Sequence, residues 1–257
     1  MSAGRPADVV VGLELPAQHG VGVVAPFDFD FALDRELWRW APDDVSLHLT
    51  RLPFVPVPVT IEMASALSDG DTVRRATRDV LSPEPFVVAF ACASGNFVHG
   101  AAGERLLSQS ILDAGAPLAT TTSGALIESL ALLEARRIAV VTPYIDSVTD
   151  RLLGFLGEHG IEVVSSVGLG LLNHIWKVAY SEVVAAVSAV DHPDAEAVYI
   201  SCTNVPTYDI IAPLEEMLGK PVLTANQVTM CLALRSMGSR PVGTGQLLVE
   251  MARPTAA

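Results

Sequence analysis

The chain has 257 residues, 50% hydrophobic and 18% charged, with 16 basic against 29 acidic side chains and a net charge of −13. This composition supports a large core in one large or two small domains. It argues against nucleic-acid binding, which needs a basic face. Three cysteines without a Cys-Xaa-Xaa-Cys pair do not make a disulfide framework. No apolar run reaches the length of a membrane span. The start, Met1-Ser2-Ala3-Gly4-Arg5, lacks the charged-then-apolar order of a signal peptide. These features predict a cytoplasmic protein with reduced thiols and no membrane or nucleic-acid partner.

In chain order, Val21 to Ala25 reads as a first strand, stopped by Pro26. Asp28 and Asp30 follow at the start of a helix-favouring stretch around Ala32–Trp38, where acidic residues commonly cap. Ser46 to Arg51 alternates polar and apolar and predicts a second strand. Residues 53–59 are too proline-rich for a central strand. Thr60 to Val80 has helical spacing with Thr60 as cap. Phe86 to Ala91 is a third strand, followed by a helix from about Glu104 to Ala114. Pro117 to Thr120 is a short strand. The turn over residues 120–124 is rich in hydroxyls, and Ser123 is placed either to cap the next helix or to hold an anion on exposed N–H groups.

A second series starts at Arg137–Pro143, a strand, and continues into a helix closed by Gly160. Ile161 to Val167 is a strand and Leu169 to Ile175 a loop holding Asn173 and His174. Trp176 to Val190 is an amphipathic helix, Val198 to Ser201 a strand, and Tyr208 to Leu218 a helix ended by Gly219. Residues 221–228 read as a strand and Thr229 to Met237 as the last helix. Alternating strands and helices imply parallel sheets with right-handed crossovers.

One pattern occurs twice. The run Phe86–Ala91 ends on Cys92 and then Ala93-Ser94-Gly95-Asn96. The run Ala197–Ser201 ends on Cys202 and then Thr203-Asn204. The two cysteines are 110 residues apart (202 − 92), close to half the chain. Short apolar runs of this kind are buried parallel strands, and ligands of open α/β sheets bind beyond their carboxyl ends. Free cysteine also often just fills a core. The repetition, with loop-opening residues after each thiol, points instead to a thiol and a thiolate acting on opposite faces of one small substrate. Cys231 sits inside an apolar helix and reads as core.

No glycine-rich dinucleotide fingerprint, phosphate loop or zinc-spaced histidine pair is present. No cofactor is therefore expected. His99 and His174 lie near the predicted sites and read as solvated loop residues. Neither cysteine has a histidine close in sequence to serve as an acyl-transfer base.

The segments Ala91–Phe97, Val140–Ile145, Ser201–Glu215 and Gly219–Met230 resemble the thiol and tyrosine motifs of the Asp/Glu racemase superfamily, specifically its maleate cis–trans isomerase branch. The likeness covers about residues 20–250. It implies two similar Rossmann-like (flavodoxin-like) parallel-sheet α/β domains related by pseudo-twofold symmetry. Their expected bounds are 1–127 plus 226–257, carrying Cys92, and 128–225, carrying Cys202. It further implies a homo-oligomer, dimer or tetramer, acting on a small carboxylate. Cys92 takes the role of nucleophile and Cys202 that of acid/base. Tyr144 and Asn173 resemble substrate-contacting residues, with Ser94, Gly95, Thr203, Asn204 and Ser123 around them. A nucleophilic Cys92 requires a lowered pKa, which N–H groups at the following helix start would supply.

One departure stands out. The branch carries an asparagine after its first strand, and here that stretch is Pro26-Phe27-Asp28-Phe29-Asp30-Phe31. An aspartate there repels a dicarboxylate or accepts an amino or ring N–H group, unless it turns away to cap the helix. Alternatives to a cis–trans isomerase are a two-thiol racemase or epimerase of an amino acid or hydantoin-like compound, and a non-catalytic binding protein. Arylmalonate-type decarboxylation ranks below these, because that branch keeps only the second thiol.

Overall fold

The structure, a computed structural model, describes residues 19–29 and 31–252. It is built from two four-stranded parallel sheets of the same order. In the first, β1 (His19–Ala25), β2 (Val45–Arg51), β3 (Val87–Phe90) and β4 (Ala119–Thr121) lie in the order β2-β1-β3-β4. In the second, β5 (Arg137–Thr142), β6 (Glu162–Gly168), β7 (Ala197–Ile200) and β8 (Val222–Thr224) lie in the order β6-β5-β7-β8. Registers place Val24 beside Phe90, and Val141 beside Ile200. The carboxyl ends of the central strands are therefore level within each sheet. This is the twofold α/β architecture that the sequence implied.

Burial follows strand position. Every residue of β3 and β7 is buried, as central strands covered on both faces require, and both are uninterrupted apolar runs. β2 lies at an edge and is only partly buried, which matches its alternating sequence. Helices α1 (Phe31–Trp40), α2 (Ile61–Leu67), α3 (Gly70–Asp79), α4 (Ala93–Phe97), α5 (Gly100–Asp113) and α6 (Thr122–Leu132) belong to the first series. In the second, α7 (Asp146–Glu158), α8 (Tyr180–Val190) and α9 (Tyr208–Leu218) precede α10 (Ala225–Ser236) and the short α11 (Leu247–Met251). Helix α10 packs against α6 and against β3 and β4 of the first sheet. No helix of the described residues is long and apolar enough to cross a membrane.

Several expected elements differ. The single helix over 60–80 is two helices, because Asp69 accepts the Thr72 N–H at 2.8 Å and restarts the chain as α3. Thr60 stands at the N-cap of α2, but its hydroxyl bonds the Pro58 carbonyl instead. Residues 225–228 are helix rather than strand: Thr224 accepts the Gln227 N–H and caps α10 three residues after β8 begins. The helix expected from Trp176 starts at Tyr180, after one 3-10 turn at Ile175–Lys177. Glu182 holds the Ala179 N–H at that new start. A short helix, α4, also follows Cys92 directly, and α5 begins at Gly100 rather than at Glu104.

Candidate active site

All four central strands end at one point between the two sheets. Pro26 and Asp28 follow β1, Cys92 follows β3, Tyr144 follows β5 and Cys202 follows β7. Together with Ser94, Thr203 and Asn204 they line one inner chamber, roofed by Val59, Met63, Leu67 and Ile175. The chamber holds about 20 Å³ of free volume, room for roughly one water. Asp28, Val59 and Met63 also border an outer groove of about 380 Å³, whose walls include Phe54, Leu172, Asn173 and Trp176. The loops that close the chamber are tied together across the two halves, Val59 N–H to the Leu172 carbonyl at 2.8 Å.

Cys92 and Cys202 thus face one chamber from opposite halves. Cys92 is 2% exposed and has ordinary extended backbone, φ −144°. The Gly95 N–H and the Ser94 hydroxyl both stabilise its sulfur as thiolate. A Cβ at Gly95 would stand 3.1 Å from that sulfur, so glycine keeps the amide close. Cys202 has φ +85°, a left-handed conformation that side chains rarely adopt and that is found where function demands it. The Asn204 N–H reaches its sulfur at 3.4 Å. Tyr144, 1% exposed, aims its hydroxyl at the same sulfur and favours its thiolate form, without completing a well-formed hydrogen bond in this geometry. Gly168 makes room for that tyrosine: a Cβ there would fall 2.7 Å from the Tyr144 carbonyl.

Burial dominates the electrostatics. It pushes both thiols up from the ordinary 9.0 to about 12, and the Asp28 carboxylate adds to the rise at each. The lowered thiol expected at Cys92 is not found, because the closed chamber withholds more solvation than the nearby N–H groups return. Asp28 is itself raised by burial and is steadied by its own N–H and the Asn204 amide. It faces the chamber instead of capping α1. Asp30 lies outside the described residues.

The other expected site residues divide. Ser94, Thr203 and Asn204 line the chamber, although the Thr203 hydroxyl is held by the Ala91 carbonyl at 3.0 Å across the two halves. The Asn204 amide donates to the Asp28 carbonyl at 3.3 Å, and its own oxygen is buried without a partner. Gly95 stands behind Cys92. Asn173 is exposed and lies in the outer groove. Ser123 is not at the site: its N–H is taken by Asn96 at 3.1 Å, and the cap of α6 is Thr121, which accepts the Gly124 N–H. His99 is exposed at the start of α5, and Cys231 is fully buried in α10. Among the described residues no group of His, Cys, Asp and Glu is arranged to hold a metal ion. A larger cavity, about 560 Å³, includes Arg136, His159 and Ile161 near the amino ends of β5 and β6, away from both thiols.

Sequence reading left open whether Asp28 faces the substrate or caps the helix, and it missed Phe27 in the groove wall. The signal was present. Val23-Val24-Ala25-Pro26-Phe27-Asp28 and Val140-Val141-Thr142-Pro143-Tyr144-Ile145 are one repeated phrase, strand then proline then aromatic. Met63, Leu67 and Ile175 carry no such mark; they are apolar residues that become walls only on packing.

A parallel α/β twin that brings a thiol from each half into one chamber is the arrangement of a two-cysteine site. Comparison with known proteins agrees, and the chain belongs to the arylmalonate decarboxylase family, whose pattern matches residues 68–248. An arylmalonate decarboxylase from Bordetella bronchiseptica is 32% identical over 64% of this chain and 71% of its own. Maleate isomerases are similar as well. The Pseudomonas putida enzyme is 27% identical over 80% of this chain and 85% of its own, and that of Geobacillus stearothermophilus 29% over 59% and 63%. The chain thus spans less than two thirds of the Geobacillus enzyme's length. In three dimensions a Pseudomonas putida maleate isomerase superposes with a TM-score of 0.81, at 24% identity, over 91% of this chain and 99% of its own. A Nocardia farcinica maleate cis–trans isomerase mutant with a covalently bound succinylcysteine intermediate gives 0.81 at 23% identity, over 90% and 98%.

Proposed function

We propose that this chain is a cofactor-independent isomerase that converts a small cis-unsaturated carboxylate of the maleate type to its trans isomer. Cys92 is the nucleophile and Cys202 the proton donor and acceptor. One observation carries the reading: two thiols from pseudo-symmetric strand ends line a single closed chamber with a buried tyrosine aimed at one of them. The succinylcysteine of the Nocardia relative supports the same chemistry.

The Cys92 thiolate adds to one alkene carbon and forms a C–S bond. The neighbouring carbon takes the Cys202 proton. The former double bond, now single, rotates. Cys202 then withdraws the proton from the same carbon, the C–S bond breaks, and the trans alkene leaves with Cys92 again a thiolate. No electron is gained or lost, so no redox cofactor is needed. Both sulfurs rest as thiols at neutral pH, so Cys92 first gives its proton to solvent as substrate enters, with the Gly95 N–H in place to stabilise the thiolate left behind. Tyr144 stabilises Cys202 in its thiolate half of the cycle. Shared access of both thiols to one chamber favours this chemistry over decarboxylation.

The half-sites divide as 1–127 with 226–257, and 128–225, a division supported by the packing of α10 on the first sheet. Free thiols at Cys92, Cys202 and Cys231 support a reducing, cytoplasmic setting. A homo-oligomer completes the proposal and is read by sedimentation.

The test is NMR in deuterated water with maleate and its monoamide, aspartate, glutamate and hydantoins. Formation of a trans alkene that needs both cysteines is the expected result. Exchange of a substrate Cα proton without alkene chemistry would assign a racemase instead.

A further inference from the structure

We propose that Asp28 selects a substrate with one carboxylate only, whose other end presents an uncharged N–H to this aspartate and sends an apolar substituent into the outer groove. The proposal takes the reacting double bond from the isomerase reading; the charge selection stands without it.

Asp28, Val59 and Met63 border both spaces, and Asp28 is the charged one of the three, set where the groove meets the chamber of the thiols. Among the described residues, the lining of the inner chamber contains no Lys, Arg or His. The groove adds only His174, which is exposed and stacks edge-on against Trp176. The groups that steady Asp28 are its own N–H and the Asn204 amide, not a cation. Arg51, on the next strand, is engaged by the Phe29 carbonyl at 2.9 Å. A second carboxylate about 4 Å from Asp28 would face a penalty on the order of 10²- to 10³-fold at an effective dielectric of 20. An amide N–H there donates to the carboxylate instead.

The groove supplies the rest. Phe27, Phe54, Val55, Val57, Leu172 and Trp176 give it apolar walls. Phe54 is 73% exposed and Leu172 42%, large apolar side chains left facing the groove mouth, with Phe54 edge-on to Phe27 at 5.1 Å. An unbranched dicarboxylate has nothing to offer that surface. An N-substituted monoamide of a cis-enedioate fills both features with one molecule.

The test separates binding from turnover. Saturated analogues cannot accept a thiolate, so their affinities report the site alone. Calorimetry on the wild-type protein is expected to rank N-phenylsuccinamate tighter than succinamate, and succinamate at least tenfold tighter than succinate. Asp28→Asn is expected to bring succinate within threefold of succinamate. Equal binding of succinate and succinamate by the wild type overturns the proposal, and that ranking needs no variant to fold. An N-phenyl amide no tighter than the plain amide removes the groove from it. The cis-enoates themselves then divide the two claims. Isomerisation that favours maleate over its monoamide overturns the role of Asp28 and leaves the isomerase standing. The expected binding order without isomerisation of either overturns the isomerase and leaves Asp28 as the selector of charge.

Discussion

The two halves are the same device with different contents. Each sets Val-Val-Xaa-Pro-aromatic at the end of its first strand, cysteine at the end of its third, and a threonine cap at the end of its fourth, Thr121 and Thr224. The scaffold therefore delivers two sulfurs symmetrically. The residues after the two prolines do not match. The first half has Phe27 and Asp28, the second Tyr144 and Ile145. The first half thus brings a negative charge to the chamber and the second a phenol. The backbone differs too: Cys92 is extended at φ −144°, while Cys202 is left-handed at φ +85°. Symmetry fixes where the thiols meet, and the departures from it give each thiol its own task.

The largest break in the comparison is removal of either sulfur. Cys92→Ala and Cys202→Ala are each expected to lower kcat by about 10⁴- to 10⁶-fold, the scale for losing a reacting group in a machine that acts as a unit. Cys231→Ala, within α10, is expected to retain most activity. Turnover near wild type by either single variant rules out the two-thiol cycle.

Next comes a property that the halves share. Moving a thiol from 9.0 to about 12, a difference of three units, cuts its thiolate fraction at neutral pH about a thousandfold. Iodoacetamide labelling of Cys92 and Cys202, followed by mass spectrometry, is expected to be slow at pH 7. It should rise roughly tenfold per pH unit to pH 10, since the thiolate fraction climbs until the pKa is passed. A plateau below pH 9 at either cysteine would show that sulfur to be already activated. Slow labelling is thus the mark of burial and not of a non-catalytic protein.

The sequence made the twin architecture legible because both faces of a central parallel strand are covered. β3 and β7 are continuous apolar runs, each followed within two residues by one of the two cysteines. Element starts were less legible where a side chain competes for the backbone. Asp69 splits one helical pattern in two, and Thr224 turns an apolar run from strand to helix after three residues. Ser123 read equally as a cap or an anion holder because it ends a run of four hydroxyl residues, 120–123, and only the fold shows that Thr121 takes the cap while Asn96 takes the Ser123 N–H. The thiol pKa was not legible at all. N–H donors near a cysteine can be read from a chain, but the volume of water shut out by Val59, Met63, Leu67 and Ile175 cannot.

Exchanging one aromatic for its counterpart sharpens the asymmetry. Tyr144→Phe gives the second half the ring of the first. A hydrogen bond to a charged partner contributes about 1.5–3 kcal/mol, so kcat is expected to fall about 10- to 100-fold with KM little changed. The ring and its packing against Phe97 at 6.0 Å remain. Phe27→Tyr is expected to leave kcat within a few-fold, because that ring packs in the groove wall. An equal loss from both substitutions would show the phenol to be packing and not chemistry.

The smallest effect tests the backbone difference on its own. Replacing a cysteine by alanine or by glycine removes the same thiol, so the alanine–glycine difference isolates what the backbone asks of a side chain. At Cys92 the extended φ suits any residue. Glycine there loses more freedom on folding and gives up a buried methyl, so Cys92→Gly should be less stable than Cys92→Ala by roughly 0.5–1 kcal/mol. At Cys202 the φ of +85° strains alanine as it strains cysteine and leaves glycine free. The order should therefore reverse, with Cys202→Gly more stable than Cys202→Ala by roughly 1 kcal/mol. For a chain of this size, 1 kcal/mol moves Tm by about 2–4 °C, within reach of thermal denaturation on four purified variants. The same sign at both positions would mean that Cys202 carries no backbone strain, and its asymmetry would then rest on Tyr144 alone.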